Sequence, residues 1–244
     1  MISLLRDYEK YNKDILDVVL FIVIDDGSPV SYEIPQFDLN LHWIRINEDI
    51  PWNQSGARNL GAVYAKSDNI VFADLNHKVL ENTMHYMAYH KPCGRNIYKI
   101  KYEGRNKGHS NLFFLSRARF MRFFGYDEEF AGHYGAEDFR FIKVQKAHGS
   151  KQLYLPNKYR VVKRVLESGS DHSLDRDLTH CTPIDLRKKL ELRTYGLDYG
   201  YSKLFLNNFT WKFLSEQKRT CVPMPKSKKW WYYLWYFRWI FGYK

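Results

Sequence analysis

The sequence predicts an α/β fold in which a mostly parallel central sheet is flanked by helices. Strand-like and helix-like segments alternate along the first half of the chain, which is the order typical of layered α/β domains. The run from Val18 to Ile24 is apolar without interruption, as in a strand that is buried on both faces of a parallel sheet. Turn residues from Asp25 to Pro29 end this run, so polar groups are expected at the carboxyl end of the strand.

The first half of the chain contributes six predicted elements. Leu4, Leu5 and Tyr8 have helical spacing, so the chain is expected to start on a helix. Further along, Ala57 and Gly61 place small side chains on one helical face and allow close approach to a neighbour. In chain order we predict a helix over residues 2–11, strands over 18–24 and 41–46, a helix over 56–67, a strand over 69–74 and a helix over 78–90.

The second half shows a different pattern and divides the chain into three predicted parts. Its expected elements are strands over 96–102 and 111–116, a helix that begins near Glu137, a strand over 158–165 and a helix over 185–196. The predicted parts are a main domain over residues 1–180, a helical extension over 181–225 and a basic aromatic tail over 226–244.

Composition limits the classes of function. The formal net charge of +11 predicts an anionic partner, although part of the lysine excess can serve solubility alone. Three widely separated cysteines form no CxxC pair and favour a reducing compartment, so we expect a cytoplasmic protein. The first residues lack the apolar core of a secretion signal, and no run approaches the roughly 20 apolar residues of a membrane span.

Acidic residues follow two of the predicted strands. Asp25 and Asp26 come after the first strand, and Asp74 comes after the third. Ligands of open α/β sheets bind at the carboxyl ends of strands. Arg58 lies near the start of a helix whose dipole favours anions. A metal ion together with a phosphorylated ligand would satisfy both signs of charge.

A third acidic pair, Glu137 and Asp138, lies where a glycine-rich loop turns into a helix. Carboxylates are favoured in the first turn of any helix, so either residue alone is explained without a function. Loops of this kind also close over ligands, and the glycines at 132 and 135 would permit such a motion.

Five motifs occur in an order that resembles a known family. They are VIDDGSP, GARNLGAVYA, IVFADLNH, FGYDEEFAGHYGAEDFRF and DHSLDRD, and the resemblance covers roughly Leu4 to Asp177. The set resembles GT-A glycosyltransferases of the family 2 type, and its later part is similar to the β-1,4-galactosyltransferase catalytic region. Each motif alone is weak, but five in this order at sensible spacing form a fairly specific pattern.

The resemblance implies a GT-A, Rossmann-like fold and a hexosyltransferase that uses a nucleotide-diphosphate sugar. It also implies a role in glycan or polysaccharide synthesis and an inverting mechanism. For the donor, the resemblance implies that Asp26, with Asp25, contacts the nucleoside and that Arg58 lies near the base and the phosphates. For the metal, it implies Asp74 and Asn76 as the short metal motif and His172 as a further ligand. For catalysis, it implies that the pair Glu137 and Asp138 holds the catalytic base.

The chemistry of sugar transfer suits these residues. A divalent cation, Mn²⁺ or Mg²⁺, neutralises the leaving diphosphate, and a histidine ligand favours Mn²⁺. We assign the metal to Asp74 and His172, and the proton-accepting role to Asp138. His172 is equally well explained as a surface histidine in a polar loop.

The sequence departs from the family pattern at two points. The family's Asp-x-Asp is Asp-x-Asn here, so metal affinity should drop unless His77 or His172 compensates. The family opens with an apolar strand before its first helix, whereas this chain starts at the helix. A missing first strand would leave a central sheet position open and expose part of the nucleoside pocket.

The tail, KSKKWWYYLWYFRWIFGYK, combines basic and aromatic residues and is too short to span a bilayer. We expect it to lie in a membrane interface, on the cytoplasmic face and near a lipid-linked acceptor. The alternatives are a C-terminal helix packed on the domain, an oligomer contact, or a strip for single-stranded nucleic acid. For the whole protein, the alternative to an enzyme is a non-catalytic protein that binds sugar nucleotides or glycans on the same fold. Nucleic acid is not expected as a partner, because acidic strand ends repel phosphate when no metal is bound.

Overall fold

Seven α-helices and nine strands form a mixed α/β structure in the described part of the chain. The computed structural model describes residues 1–29, 32–90, 94–135, 137–164, 175–197, 206 and 209–219. The helices are α1 (Ile2–Tyr8), α2 (Lys13–Leu16), α3 (Gln54–Tyr64), α4 (Glu81–Tyr89), α5 (Arg117–Arg122), α6 (Glu137–Ala147) and α7 (Cys181–Tyr195). The strands are β1 (Leu20–Asp26), β2 (Asn40–Ile46), β3 (Asn69–Phe72), β4 (His77–Val79), β5 (Asn96–Tyr102), β6 (Gly108–Ser116), β7 (Lys151–Tyr154), β8 (Arg160–Lys163) and β9 (Trp211–Gln217).

The strands form two sheets, and both are mixed. The first has the order β1-β2-β9, with β1 parallel and β9 antiparallel to β2. The second has the order β3-β6-β5-β8-β4, and β7 also pairs with β5. The α/β class is confirmed, but the prediction of a mostly parallel sheet is wrong. The short connection between β5 and β6 makes an antiparallel pair, because a parallel pair requires a long crossover.

The burial of β1 differs from the prediction. Only Val23 and Asp25 are buried in this strand, and the other five residues are partly exposed. Among the described residues β1 pairs only with β2, so it lies at the edge of its sheet. By contrast β2, the central strand, is buried at six of seven positions.

Most predicted elements are present, with some shifted or replaced. The expected helix over 78–90 is divided, since His77–Val79 form β4 and the helix begins at Glu81. The segment 181–225, expected to be helical, contains α7 but also β9, which extends the first sheet. The strands β7 and β9 were not predicted.

Helix α3 covers β1 and holds the site in place. A Cβ added at Gly61 would lie 3.6 Å from Ile24 Cγ1, so the predicted close approach of a small residue to a neighbour is confirmed. Leu60 packs in a cluster with Ile22 and Ile24 of β1, whereas Ala62 packs with Ile70 of β3. The helix therefore lies over both strands.

Candidate functional site

The carboxyl ends of β1 and β3 meet at the amino end of α3. Asp26 is the last residue of β1, and its Oδ1 accepts a hydrogen bond from Asn53 Nδ2 at 2.9 Å. Asn53 immediately precedes α3. Asp74 follows β3 by two residues and lies at the first turns of the same helix, beside Arg58. The fold thus brings together two of the predicted strand-end carboxylates.

Arg58 is the centre of the site. Its Nη2 lies 2.7 Å from Asp74 Oδ1, and its Nη1 lies 3.0 Å from Asp138 Oδ1. Nη1 also donates to the hydroxyl of Tyr126 at 2.8 Å. Burial alone would lower the pKa of Arg58, but Tyr126, Asp74 and Asp138 more than offset this, so the pKa is raised. Arg58 is therefore a permanent buried cation that joins two of the predicted functional carboxylates.

Glu137 lies beside this ion pair but differs from Asp138 in its environment. Burial, followed by the charge of Asp138, raises the pKa of Glu137 to about 7. In the orientation that satisfies its neighbours, the Gln54 amide donates to Glu137 Oε1 at 3.1 Å and accepts from Arg58 Nη2 at 2.9 Å. Glu137 Oε2 is buried and has no hydrogen-bond partner among the described residues. The site therefore contains a carboxyl that changes its charge near neutral pH.

Asp26 is a second carboxyl of this kind. Burial raises its pKa to about 7, and the hydrogen bond from Asn53 only partly opposes this. The charges of Asp49 and Asp25 raise the pKa further. The Oδ1 of Asn53 is buried without a hydrogen-bond partner in the described structure. Asp26 and Asn53 thus offer one protonatable oxygen and one acceptor at the end of β1.

Asp25 belongs to a separate network. Its Oδ2 lies 2.6 Å from Arg45 Nε, and it accepts hydrogen bonds from Tyr32 and Ser28. Burial opposes ionisation of Asp25, but the bonds from Ser28, Tyr32 and Arg45 together lower its pKa. With its side chain only 4% exposed, Asp25 stabilises the end of β1 and its following turn. Of the two predicted nucleoside carboxylates, Asp26 is the one that adjoins α3.

The structure describes two of the three predicted metal ligands. Asp74 and Asn76 lie in the turn after β3, and Asn76 Oδ1 is buried without a hydrogen-bond partner among the described residues. An unsatisfied amide oxygen near a carboxylate suits a hard cation. His77, considered above as a compensating ligand, lies in β4 with its Nε2 2.6 Å from the Tyr102 hydroxyl.

His172 lies outside the described residues, as do all of residues 220–244. Within the described ranges, no group of three or more His, Cys, Asp or Glu side chains could hold a metal ion. Nor does any described helix have the length and apolar character needed to cross a bilayer.

An aromatic rim adjoins the carboxylates. The Trp52 and Tyr134 rings lie 4.7 Å apart, and the guanidinium of Arg176 lies 5.9 Å from the Tyr134 ring. Trp52 has φ of +54°, a left-handed conformation that is uncommon for a bulky residue and is typical of functional sites. The backbone N–H of Gly132 donates to Pro51 O at 2.9 Å, which joins the glycine-rich loop to the turn before α3.

Gly132 and Gly135 both have φ near +100°, at 94° and 102°. Glycine is the residue that adopts such a conformation without strain. The predicted glycine-rich loop therefore has backbone geometry that depends on its glycines.

Sequence reasoning missed three residues of the site. Tyr126, Gln54 and Asn53 each contact a predicted functional side chain, whereas only their neighbours had been singled out. For Asn53 and Gln54 a signal existed, because polar residues directly before a predicted helix are placed to meet ligands or strand ends. Tyr126 carried no such signal, since its contact with Arg58 spans 68 positions of sequence.

No protein-family model matches the chain, and no curated protein matches it. The geometry of the site and the resemblance of its motifs are therefore the basis for assigning a function.

Proposed function

We propose that the protein is a glycosyltransferase of the GT-A type that moves a sugar from a nucleotide-diphosphate donor to an acceptor hydroxyl. The observation that carries the proposal is the bridge from Arg58 to both Asp74 and Asp138. These residues come from three separate motifs, and the resemblance assigns Arg58 and Asp74 to the donor site and Asp138 to the catalytic base. Their convergence at the carboxyl ends of strands supports a ligand site.

The electrostatics of the site support an anionic donor that binds together with a cation. Arg58 is already paired with two carboxylates, so its charge is not fully available to neutralise a diphosphate. Asp74 and Asn76, with His172 as a predicted third ligand, would hold Mn²⁺ or Mg²⁺. When bound, such an ion neutralises the leaving diphosphate. Asp26 and Asn53 would contact the nucleoside at the end of β1.

Two carboxylates compete for the role of proton acceptor. Asp138 is held 3.0 Å from Arg58, which fixes its position but also favours its charged form. Glu137 has a pKa of about 7, and a base whose pKa lies near the working pH transfers protons most effectively. We retain Asp138 as the base that receives the acceptor proton, and Glu137 as the second candidate.

The rim supports an acceptor that carries a sugar. Trp52 and Tyr134 present aromatic rings beside the glycine-rich loop that leads into Glu137. Aromatic rings combine a large apolar face with a polar group, which suits the mixed surface of a sugar ring. Binding there would place an acceptor hydroxyl close to the carboxylates and exclude water as the loop closes.

The test is nucleotide release from a panel of nucleotide sugars, with and without Mn²⁺. Release with at least one donor is expected, and Asp138→Asn should suppress it by about 10²–10⁴-fold while donor binding persists. The matched control is Asp68→Asn, since Asp68 is an exposed carboxyl outside the site. Neither release nor heat of binding with any donor would overturn the proposal.

The Glu137→Gln variant decides between the two bases. If Glu137 accepts the proton, this variant loses release and the wild-type rate rises with pH through about 7, in line with the pKa of Glu137. If Asp138 is the base, Glu137→Gln keeps substantial release and Asp138→Asn abolishes it.

A non-catalytic sugar-nucleotide-binding protein is the second candidate. With Asn76 in place of the family's second Asp, the metal motif has one negative charge fewer. In addition, Arg58 forms an ion pair with one carboxylate oxygen of Asp74 and one of Asp138. This candidate predicts heat of binding for a donor without nucleotide release in any metal condition. The same titration and release measurements therefore distinguish the two.

A further inference from the structure

Arg119 of α5 is a buried cation whose hydrogen-bond acceptors are all neutral. Only 9% of the residue is exposed. Its Nε donates to Ser150 Oγ at 2.8 Å and to Gln145 Oε1 at 3.3 Å, and its Nη2 donates to the carbonyl oxygen of His148 at 2.5 Å. Within the described ranges Arg119 forms no ion pair with a carboxylate. Buried charges in proteins are normally paired, so Arg119 lacks the counter-charge that its burial calls for.

Part of this arrangement stabilises the end of α6. Arg119 Nη2 also donates to the carbonyl oxygen of Gln145, at 3.5 Å, and α6 ends at Ala147. A cation that binds the last carbonyls of a helix is favoured by the helix dipole. These contacts use the Nε–Nη2 edge of the guanidinium, whereas no described residue accepts a hydrogen bond from Nη1. Nη1 therefore has two N–H groups that can bind a further acceptor.

The polar centre around Arg119 has more donors than acceptors. Gln145 is 0% exposed, and its Oε1 accepts from the hydroxyl of Ser150 at 3.0 Å as well as from Arg119. These two bonds fix the orientation of the amide. Its Nε2 is buried and has no hydrogen-bond partner in the described part of the chain. Unpaired donors are costly to bury, and an excess of them beside a cation favours the binding of an anion.

Two further arginines add positive charge to this centre. Both Arg119 and Arg122 place a guanidinium over the ring of Phe123, at 4.7 and 5.6 Å from the ring centroid. The carbonyl oxygen of Arg95 accepts a hydrogen bond from the N–H of Lys151 at 2.8 Å, so Arg95 lies beside the start of β7. Burial lowers the pKa of Arg119, and the charges of Arg122 and Arg95 lower it further. Repulsion among these cations decreases when an anion binds between them.

We propose that Arg119, Arg95 and Arg122 form a binding site for a phosphate monoester at the carboxyl end of α6. Clustered guanidinium groups suit phosphate better than a single carboxylate, because a monoester carries about 1.5 to 2 negative charges at pH 7 and three acceptor oxygens. The ligand would accept hydrogen bonds from Nη1 of Arg119 and from the exposed guanidinium of Arg95.

This site is separate from the proposed donor site. Asp138 lies in the first turn of α6, whereas Gln145 lies in its last turn, and an 11-residue helix is about 15 Å long. The phosphate site therefore does not depend on the proposed transfer reaction. Phosphate binding is expected whether or not nucleotide release occurs, so failure of one proposal leaves the other in place.

The first test is titration of the full chain with inorganic phosphate, followed by NMR at the Nε–H signal of Arg119. A saturable shift is expected with phosphate but not with chloride at the same ionic strength. Arg95→Gln and Arg122→Gln, at exposed positions, should each weaken binding by about fivefold or more through loss of a charge-assisted hydrogen bond. The matched control is Lys13→Gln, which removes one exposed positive charge from α2 and should leave the affinity unchanged. Equal shifts with chloride, or equal weakening by Lys13→Gln, would show general ion screening and overturn the proposal.

The second test distinguishes a soluble source of the phosphate group from a lipid headgroup. Glycerol 3-phosphate and vesicles that contain phosphatidic acid present the same monoester, and phosphatidylcholine vesicles are the control. Binding of glycerol 3-phosphate that Arg95→Gln weakens would identify a soluble ligand. Pelleting with phosphatidic acid vesicles alone, weakened by the same variant, would identify a headgroup. If neither ligand distinguishes the wild type from Arg95→Gln, the site does not bind a phosphate monoester and the proposal is overturned.

Discussion

Among the single residues of the site, two carboxyl groups have pKa values close to physiological pH, so each is present in both the protonated and the ionised form. Asp26 and Glu137 both have a pKa of about 7, and burial is the main cause for each. Desolvation of this size is tolerated where a ligand or cation later compensates the charge, and perturbed carboxyls cluster at functional sites for this reason. Structural ion-pair networks also perturb carboxyls, so the effect of each group on stability must be measured separately.

Asp26 should make the protein less stable as pH rises. In the unfolded chain the pKa of Asp26 is near its ordinary value of 3.8, whereas in the folded chain burial raises the pKa to about 7. The folded state therefore binds more protons between these values, and its stabilising contribution is fully present below about pH 4 and lost through pH 7. Relative to Asp26→Asn, the wild type should lose on the order of 1–3 kcal/mol of unfolding free energy between pH 5 and 7.5.

Urea unfolding at both pH values measures this difference, and the contributions of groups that do not interact with Asp26 cancel between the wild type and the variant. Asp68→Asn, at an exposed carboxyl, is the matched control variant. If the difference between the wild type and Asp26→Asn is the same at pH 5 and 7.5, Asp26 does not hold its proton in the folded state.

The sequence predicted the carboxylates of the site but not its central contact. Asp26, Asp74 and Asp138 follow recognisable strand or loop ends, and in the structure they meet residues at the amino end of α3. That Arg58 would bind two of them directly, with Tyr126 beneath, depends on a side-chain conformation set by tertiary packing. A periodic pattern gives the face of a helix on which Arg58 lies, but not the partners at the end of its long side chain.

At the scale of secondary-structure elements, α7 is attached to the domain by buried charge. Lys188, in the middle of α7, is 1% exposed. Its Nζ lies 2.8 Å from Asp127 Oδ2 and also pairs with Glu129. Both carboxylates belong to the segment around a short 3₁₀ helix, Glu128–Phe130. This segment directly precedes the glycine-rich loop of the site, so the ion pairs of α7 stabilise the segment from which the loop starts.

Lys188→Met should therefore loosen α7 and destabilise the protein by about 3 kcal/mol. Removal of Lys188 Nζ takes the nearer cation from the buried Asp127, which Arg140 Nε still faces at 3.4 Å, whereas Glu129 keeps Arg187 Nη2 at 2.8 Å. Amide exchange of residues 181–195 and urea unfolding would measure the two effects.

The matched control is Lys189→Met on the same helix. Lys189 has a side chain that is 40% exposed and pairs with Asp185 four positions earlier, so the expected loss is about 0.5 kcal/mol or less. Equal losses for the two variants would show that the burial of Lys188 has no energetic consequence.

The elements that the sequence did not predict share a physical cause. β7 has only four residues, and β9 lies in a polar region where Lys212 and Glu216 interrupt the apolar pattern. Both strands are stabilised by pairing with β5 and β2 respectively, over sequence separations that local patterns do not contain. β4 was assigned to a helix because its three residues adjoin a strongly helical segment. By contrast α3 and α6 were predicted closely, since their apolar and capping patterns are local.

At the scale of the whole molecule, one apolar cluster joins the two sheets. It contains Trp43 from β2 and Phe114 from β6, together with α1 residues such as Leu5. The hydroxyl of Tyr8 also accepts a hydrogen bond from the N–H of Val79 in β4, at 3.1 Å. No ladder hydrogen bonds connect the sheets in the described part of the chain, so side-chain packing is what holds them together. The site depends on this packing, because its two strand ends belong to different sheets.

A cavity in the shared cluster should therefore weaken both sheets equally. Leu16 is fully buried in this cluster, and Leu16→Ala should cost about 2–5 kcal/mol of unfolding free energy. Amides of β2 and β6 should then exchange with the same reduced opening free energy, as expected for a single cooperative transition. Leu190→Ala, at a position of α7 that is 64% exposed, should change stability by less than about 0.5 kcal/mol. Separate transitions for β2 and β6 would mean that the sheets are independent units, and the contacts of Arg58 with Asp74, Asp138 and Tyr126 would then hold the site together.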